Sequence, residues 1–289
     1  MNLKDIYKKN TKKPIISYEI FPPKDDINNQ KLENLFFELK ILKKYNPALI
    51  SVTYGAGGSN RNKSIEIIKR IKNETSITPM PHFTCVSTDK ANIKSYLNEI
   101  ESLGIKNILA LRGDMPTTGE VFNDFKHASE LVEFIKSESS LSVAVAGYPE
   151  GHAEAESIQK DLEYLKNKVD KGADAIYTQL FFNNECFFNF VEKCTAMNIN
   201  VPIIPGIMPI ISYKSIQKMI SLCNIDVPQK LADVIDKYKD NNDYIQQYGI
   251  EYSTKQCQEL IENGIGGLHF YTLNKSDSTS QILENLNIG

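Results

Sequence analysis

PIISYEIFPPK, residues 14–24, decides the fold. Its first half is a β-branched, apolar run of strand character, and two prolines stop it abruptly. A doubly wound, dinucleotide-binding sheet would follow its first strand with a glycine fingerprint, where close backbone can receive a phosphate. Pro22 and Pro23 cannot serve that purpose. The later GAGGSN (55–60) follows the second strand and has Asn60 where a third glycine should stand. It reads as a tight loop, and neither a dinucleotide fingerprint nor a P-loop is present.

Seven more strand-like runs follow: ALISVTYGAGG (48–58), PMPHFTCVS (79–87), NILALRGD (107–114), LSVAVAGYPEG (141–151), AIYTQLFF (175–182), VPIIPGIMP (201–209) and GGLHFYTLN (266–274). They are near-continuously apolar rather than alternating, as parallel strands covered on both faces should be. Amphipathic stretches separate them, at 30–44, 61–73, 89–103, 125–138, 155–171 and 184–197. The first puts Leu32, Leu35, Phe36, Leu39 and Leu42 on one face. Gly104 and Gly172 read as helix stops. Residues 210–265 leave room for two or three helices, with Pro228 as a helix start, and a last helix is expected near 276–287. Eight strand-then-helix units without a composition break predict an α/β fold: one (β/α)8 TIM barrel domain over residues 1–289, with extra helices between strands seven and eight.

Composition narrows the function classes. The chain of 289 residues is 24% charged and 41% hydrophobic with a formal net charge of -3, so no basic patch points to nucleic acid. The basic N-terminus has no apolar segment behind it, and VPIIPGIMPII (201–211) is too short to span a bilayer, so neither a secretory signal nor a membrane span is expected. Five cysteines without a CxxC pair suit a reduced cytoplasm. Four histidines form no HxH or HExxH pattern, and no metal site is expected.

Barrel chemistry sits at the C-terminal ends of the strands. Those ends carry Glu19, Thr53 and Tyr54, His82, Arg112 with Asp114, Tyr148 with Glu150 and His152, Gln179, and Tyr271. Each has a bland counterpart: strand propensity for Thr53, an ion pair for Arg112 and Asp114, a core histidine at position 82, a helix cap at His152. Gln179, in an apolar strand, needs a partner for its amide. Glu19 beside Ile20, Phe21 and the Pro22-Pro23 turn should lose solvation, which raises a carboxyl pKa.

At these residues the sequence resembles bacterial methylenetetrahydrofolate reductases. SYEIFPPK, ISVTYGAGGS, PHFTC, LALRGD, VAGYPEGH, GADAIYTQLFF, IPGIMPI and HFYTLN carry the resemblance, in order, from residue 17 to 274. It implies an FAD-dependent enzyme that reduces 5,10-methylenetetrahydrofolate to 5-methyltetrahydrofolate with NAD(P)H in a ping-pong order, supplying methyl groups for methionine synthesis. Glu19 falls on the family's general acid, which protonates N10 so that the imidazolidine ring opens. Asp114 falls on the residue that holds the folate and tunes the flavin. Tyr54, Ala56, His82, Arg112, Gly113, Asp114, Ala128, Tyr148, His152, Ala155, Asp161 and Lys168 fall on flavin-contacting positions. Tyr164 stands where asparagine is familiar and Asn167 where arginine is, both on the same cofactor wall. Thr53 and Gln179 are implied for nicotinamide and folate, and Lys275 replaces an arginine near the folate tail. Ser215 and Met219 depart from a familiar glutamine and phenylalanine. By analogy with short bacterial forms the donor is expected to be NADH, the location cytoplasmic and the assembly a homo-oligomer. The competing readings are another FAD barrel, similar to proline dehydrogenase, and a non-catalytic flavin- or folate-binding barrel.

Overall fold

The computed structural model describes residues 1–8, 13–24, 27–54, 61–86, 88–114, 124–223 and 225–289. Eight parallel strands close into a barrel in sequence order. They are β1 (Ile15–Ile20), β2 (Leu49–Val52), β3 (Thr78–Thr84), β4 (Asn107–Leu111), β5 (Ser142–Gly147), β6 (Ala175–Leu180), β7 (Ile203–Ile207) and β8 (Gly267–Tyr271). β8 closes onto β1 in register from Ile15 opposite Gly267 to Glu19 opposite Tyr271. The expected barrel is the observed one.

The pleat sorts β1 into two faces. Ile16, Tyr18 and Ile20 point outward and pack with Leu32, Leu35 and Leu39 of helix α2 (Gln30–Leu42). Ser17 and Glu19 point into the barrel. The same division holds around the ring. Leu49, Met80, Leu109, Ala144, Ala175, Tyr177 and Ile204 fill the interior. Fully burying one such aliphatic side chain contributes roughly 1.5–3 kcal/mol before conformational entropy is charged against it.

The helices α3 (Arg61–Glu74), α4 (Lys90–Ser102), α5 (Ala128–Glu138), α6 (Ile158–Asp170) and α7 (Asn184–Ala196) cover the outside, as their apolar spacing predicts. Gly104 and Gly172 follow α4 and α6 with φ of +70° and +111°, the left-handed stop that glycine makes cheaply. Residues 210–265 form three helices: α8 (Tyr213–Cys223), α9 (Gln229–Lys237) and α10 (Asn242–Glu262). Pro228 is the residue at which α9 begins, as its N-cap. Together with Leu180, Phe182, Met208 and Ile210 these helices build a third apolar cluster beside the barrel mouth. α11 (Asp277–Asn285) ends the chain.

One element was not expected. Helix α1 (Leu3–Tyr7) plugs the barrel floor with Leu3 and Ile6, both buried among the interior residues. Asn2 caps it by accepting from the Asp5 amide at 2.9 Å, and Lys4 reaches Asp174 at 3.0 Å. Five residues with two apolar contacts are too short for a periodic signal. No helix among the described residues is long and apolar enough to cross a membrane.

Candidate active site

Two cavities, each of about 280 Å³, open at the C-terminal ends of the strands and share Leu111, Arg112, Tyr148 and His152 as walls. The first is lined by Thr53, Tyr54, His82, Gly113 and Asp114 in addition. The second runs outward between α5 and α6 along Ala128, Ala155, Asp161, Tyr164, Asn167 and Lys168. The predicted cofactor positions are therefore brought together, except Ala56, which lies outside the described residues with the rest of GAGGSN.

The first cavity is deep and partly unsatisfied. His82 is 6% exposed, and its Nε2 and the Thr84 Oγ1 are buried without a hydrogen-bond partner. Buried polar atoms of this kind are normally paired, and both residues line the first cavity. Gly113 has φ of +85°, and a Cβ there would meet Thr84 Cβ at 2.9 Å. Glycine is thus required where the β4 loop passes the cavity. Tyr54 is fixed against Phe83 and Tyr96, with ring centroids 5.0 and 5.5 Å away.

The second cavity carries compensated charge. Burial pushes the Lys168 ammonium down to about 8, against the opposing pull of Asp161, and its Nζ donates to the Ala146 carbonyl at 2.6 Å. Burial likewise raises Asp161, which Lys168 and His152 oppose; its carboxylate accepts from the His152 amide at 3.3 Å. Arg112 pairs with Glu154 at 2.5 Å, not with Asp114. His152 packs edge-on against Tyr148 at 4.6 Å and accepts from the Glu154 amide through Nδ1. The Asn167 amide donates to Ser129 Oγ at 3.2 Å, joining α6 to α5. Two cations, an adjoining glycine bend and a narrow groove fit the pyrophosphate and flat rings of a flavin dinucleotide.

Glu19 sits beneath this wall. Its Oε2 lies 3.4 Å from His82 Nε2 and 3.9 Å from His269 Nε2, and its side chain is 22% exposed. His269 is fixed from behind by Ser17 Oγ, 2.8 Å from Nδ1. Deeper still, Tyr177 packs edge-on against His269, and its hydroxyl meets that of Tyr7 at 2.8 Å. The sequence-based account of Glu19 needs correction. Ile20 points to the opposite face, and Phe21 is 41% exposed, so neither desolvates the carboxyl. Burial inside the barrel does push its pKa up. The attraction of the His269 and His82 imidazoles, 3.9 and 3.4 Å away, outweighs that burial, and the carboxyl lies below its ordinary value. Burial pushes His82 downward as well, against Glu19.

Gln179 stands two residues beyond Tyr177 on the interior side of β6, where a register shift interrupts pairing with β7. Its Oε1 accepts from the Leu180 amide at 2.9 Å, which supplies the partner its strand demanded. Lys275 lies apart from the groove between α5 and α6. It lines a cavity of about 430 Å³ with Ser212, Asn242, Gln246 and Thr279, beyond Tyr271. His269 and Ser17 were missed because a histidine or serine inside an apolar strand carries no local signal. The period-2 alternation of Ser17 with Glu19, and of His269 with Tyr271, is what could have found them.

The comparisons agree with this geometry. The family model described as methylenetetrahydrofolate reductase matches residues 3–287. A relative named methylenetetrahydrofolate reductase (NADH) 1, from Arabidopsis thaliana, is 40% identical over 287 residues, covering 94% of this chain and 48% of that protein. The 5,10-methylenetetrahydrofolate reductase of Escherichia coli (strain K12) is 35% identical over 273 residues, covering 94% of this chain and 90% of that protein. The chain thus spans about half the length of the plant relatives and most of the bacterial one. Among solved structures, an uncharacterized Clostridium thermocellum protein that binds two copies of 5-methyl-5,6,7,8-tetrahydrofolic acid superposes with a TM-score of 0.72 at 16% identity, covering 99% of this chain and 97% of that one. That likeness is one of fold. With the family model matching residues 3–287, the chain belongs to the methylenetetrahydrofolate reductase family.

Proposed function

We propose that this chain acts as a single catalytic unit that reduces 5,10-methylenetetrahydrofolate to 5-methyltetrahydrofolate with NADH and bound FAD. The observation that carries the reading is Glu19, an interior carboxyl held between two histidines directly below a groove suited to a flavin dinucleotide. When bound, FAD supplies the hydride carrier between nicotinamide and folate. Arg112 and Lys168 would balance its pyrophosphate, and Asp161 would face its ribose. His82 and Thr84, with unpaired buried polar atoms, would meet its ring.

The protein's own chemistry centres on one proton. Methylenetetrahydrofolate keeps its one-carbon unit in a closed ring, which opens to an electrophilic iminium only after N10 is protonated. Glu19 is the group to supply that proton. It needs a higher pKa than the two histidines give it. A pterin seated over the mouth would remove the remaining exposure of the carboxyl and so disfavour its charged form. Asp114 and Gln179 would orient the pterin, Thr53 the nicotinamide, and Lys275 the glutamate tail.

The reading is tested by an anaerobic absorption titration of the purified, FAD-loaded protein. Flavin bands that bleach with NADH and return with methylenetetrahydrofolate, with 5-methyltetrahydrofolate as product, are expected. Bleaching without return would remove the folate substrate. Absence of bound flavin after incubation with FAD would remove the oxidoreductase reading altogether.

A further inference from the structure

The barrel interior holds a pair of hydroxyls that the reaction as described does not use. Tyr7 reaches in from helix α1 and Tyr177 from β6. Their hydroxyl oxygens are 2.8 Å apart, with the rings edge-on and their centroids 6.3 Å apart. The floor leaves room for Tyr7: a Cβ on Gly267, at the start of β8, would meet Tyr7 Cε1 at 2.9 Å. Phenylalanine would fill nearly the same volume, and burying a hydroxyl costs free energy unless it is bonded.

Two hydroxyls bonded to each other have one proton left over. Ser17 Oγ, fully buried, faces both tyrosines and eases the ionised form of each. Burial outweighs it: Tyr7 is pushed up to about 12, and Tyr177 well above its ordinary value, so both keep their protons. The spare proton therefore points to Ser17. Ser17 in turn has two acceptors, His269 Nδ1 at 2.8 Å and the Leu268 carbonyl at 3.3 Å. A donor arriving at Oγ strengthens the bond that Oγ donates, and the shorter of the two runs to the imidazole. A neutral imidazole whose Nδ1 accepts carries its proton on Nε2. That nitrogen lies 3.9 Å from Glu19 Oε2. Tyr177 and Tyr271 hold the ring edge-on, with centroids 4.8 and 5.4 Å away.

We propose that Tyr7 and Tyr177 are positioning residues for the acid: their hydroxyl pair gives one hydrogen-bond donor to Ser17 and so keeps His269 in the tautomer whose Nε2 proton faces Glu19. The line runs from the N-terminal helix to the reacting group. The inference rests on the reading of Glu19 as the general acid. Glu19 also lies within electrostatic reach of His82 on β3, Tyr271 on β8 and Cys223 on α8, and these are common to every variant used below.

The experiment uses FAD-loaded protein labelled with nitrogen-15 in histidine. The His269 resonances are identified by their loss in His269→Phe. The parent should carry the His269 proton on Nε2, with Nδ1 as an acceptor; a proton on Nδ1 would overturn the proposal. Tyr7→Phe and Tyr177→Phe each leave one hydroxyl facing Ser17, and the falling pH limb of the folate half-reaction should stay in place. The double variant leaves none, and its limb should move to higher pH by about half a unit or more. Ser17→Ala, which spares both tyrosines, should move the limb the same way. A limb unmoved in both the double variant and Ser17→Ala, or a single variant that shifts as far as the double, overturns the inference. Bleaching of the flavin by NADH at the parent rate shows that each variant is folded. A parent whose folate half-reaction has no falling limb overturns the reading of Glu19 itself, whichever tautomer His269 adopts.

Discussion

His82 Nε2 lies 3.4 Å from Glu19 Oε2, and His269 Nε2 lies 3.9 Å from the same oxygen. One carboxylate oxygen thus faces two buried imidazoles, and their combined pull overcomes the burial that would otherwise raise its pKa. An acid so placed has its proton affinity set by its neighbours as much as by the ligand above it.

The first consequence concerns pH. With Glu19 as the proposed general acid, the rate of folate reduction should fall as pH rises through the Glu19 pKa of the folate complex. His269→Phe removes an imidazole whose Nε2, 3.9 Å from Glu19 Oε2, favours the carboxylate. The Glu19 pKa should therefore rise and the falling limb should move to higher pH. The profile of the folate half-reaction measures this; an unmoved or acid-shifted limb would contradict the electrostatic role of His269.

Lys168 gives a second, independent pH dependence. Burial holds its ammonium at about 8, and a neighbouring pyrophosphate would favour the charged form. FAD binding should therefore take up a proton above pH 8, and affinity should decline between pH 7 and 9, by up to about tenfold per unit. Lys168→Met should bind FAD more weakly and abolish the decline. A slope that survives in the variant assigns the proton to another group.

Gly113 should tolerate no side chain. A Cβ would meet Thr84 at 2.9 Å on a backbone with φ of +85°. Gly113→Ala should cost on the order of 1–2 kcal/mol in strain and lower FAD affinity. Flavin fluorescence and thermal melting of the same preparation check both halves.

Much of this was legible in the sequence because the barrel repeats one signal. Each strand is an apolar run and each following helix an apolar stripe, and both periods are strong. The mouth residues were legible because strand ends are where a barrel exposes polar groups. Two things were not. Helix α1 offers only Leu3 and Ile6 as a pattern. The surroundings of Glu19 depend on which strands meet across the interior: His82 comes from β3 and His269 from β8, and local spacing cannot bring those together. For that reason the sequence pointed to Ile20 and Phe21 as the desolvating neighbours, while the pleat turns Ile20 away.

The floor of the barrel yields a stability prediction. Asp174 is 3% exposed, receives the Ser142 hydroxyl at 2.9 Å and the Val143 amide at 2.8 Å, and pairs with Lys4 and Lys136. Burial raises its pKa, but these partners outweigh burial and hold the carboxyl below its ordinary value. A depressed carboxyl pKa adds stability that is present above the unfolded value and is lost as pH falls through the folded one. Asp174→Asn should cost about 2–3 kcal/mol at pH 7 and less at an acid pH below the carboxyl's folded value. Urea unfolding at the two pH values is the check.

The central claim, that Glu19 delivers the proton that opens the folate ring, is tested most directly by Glu19→Gln. The two half-reactions are followed separately by anaerobic stopped-flow absorbance of the flavin. The account predicts that NADH bleaches the variant's flavin at close to the parent rate, while recovery with methylenetetrahydrofolate slows by roughly 10²–10⁴-fold. Recovery at the parent rate would contradict it.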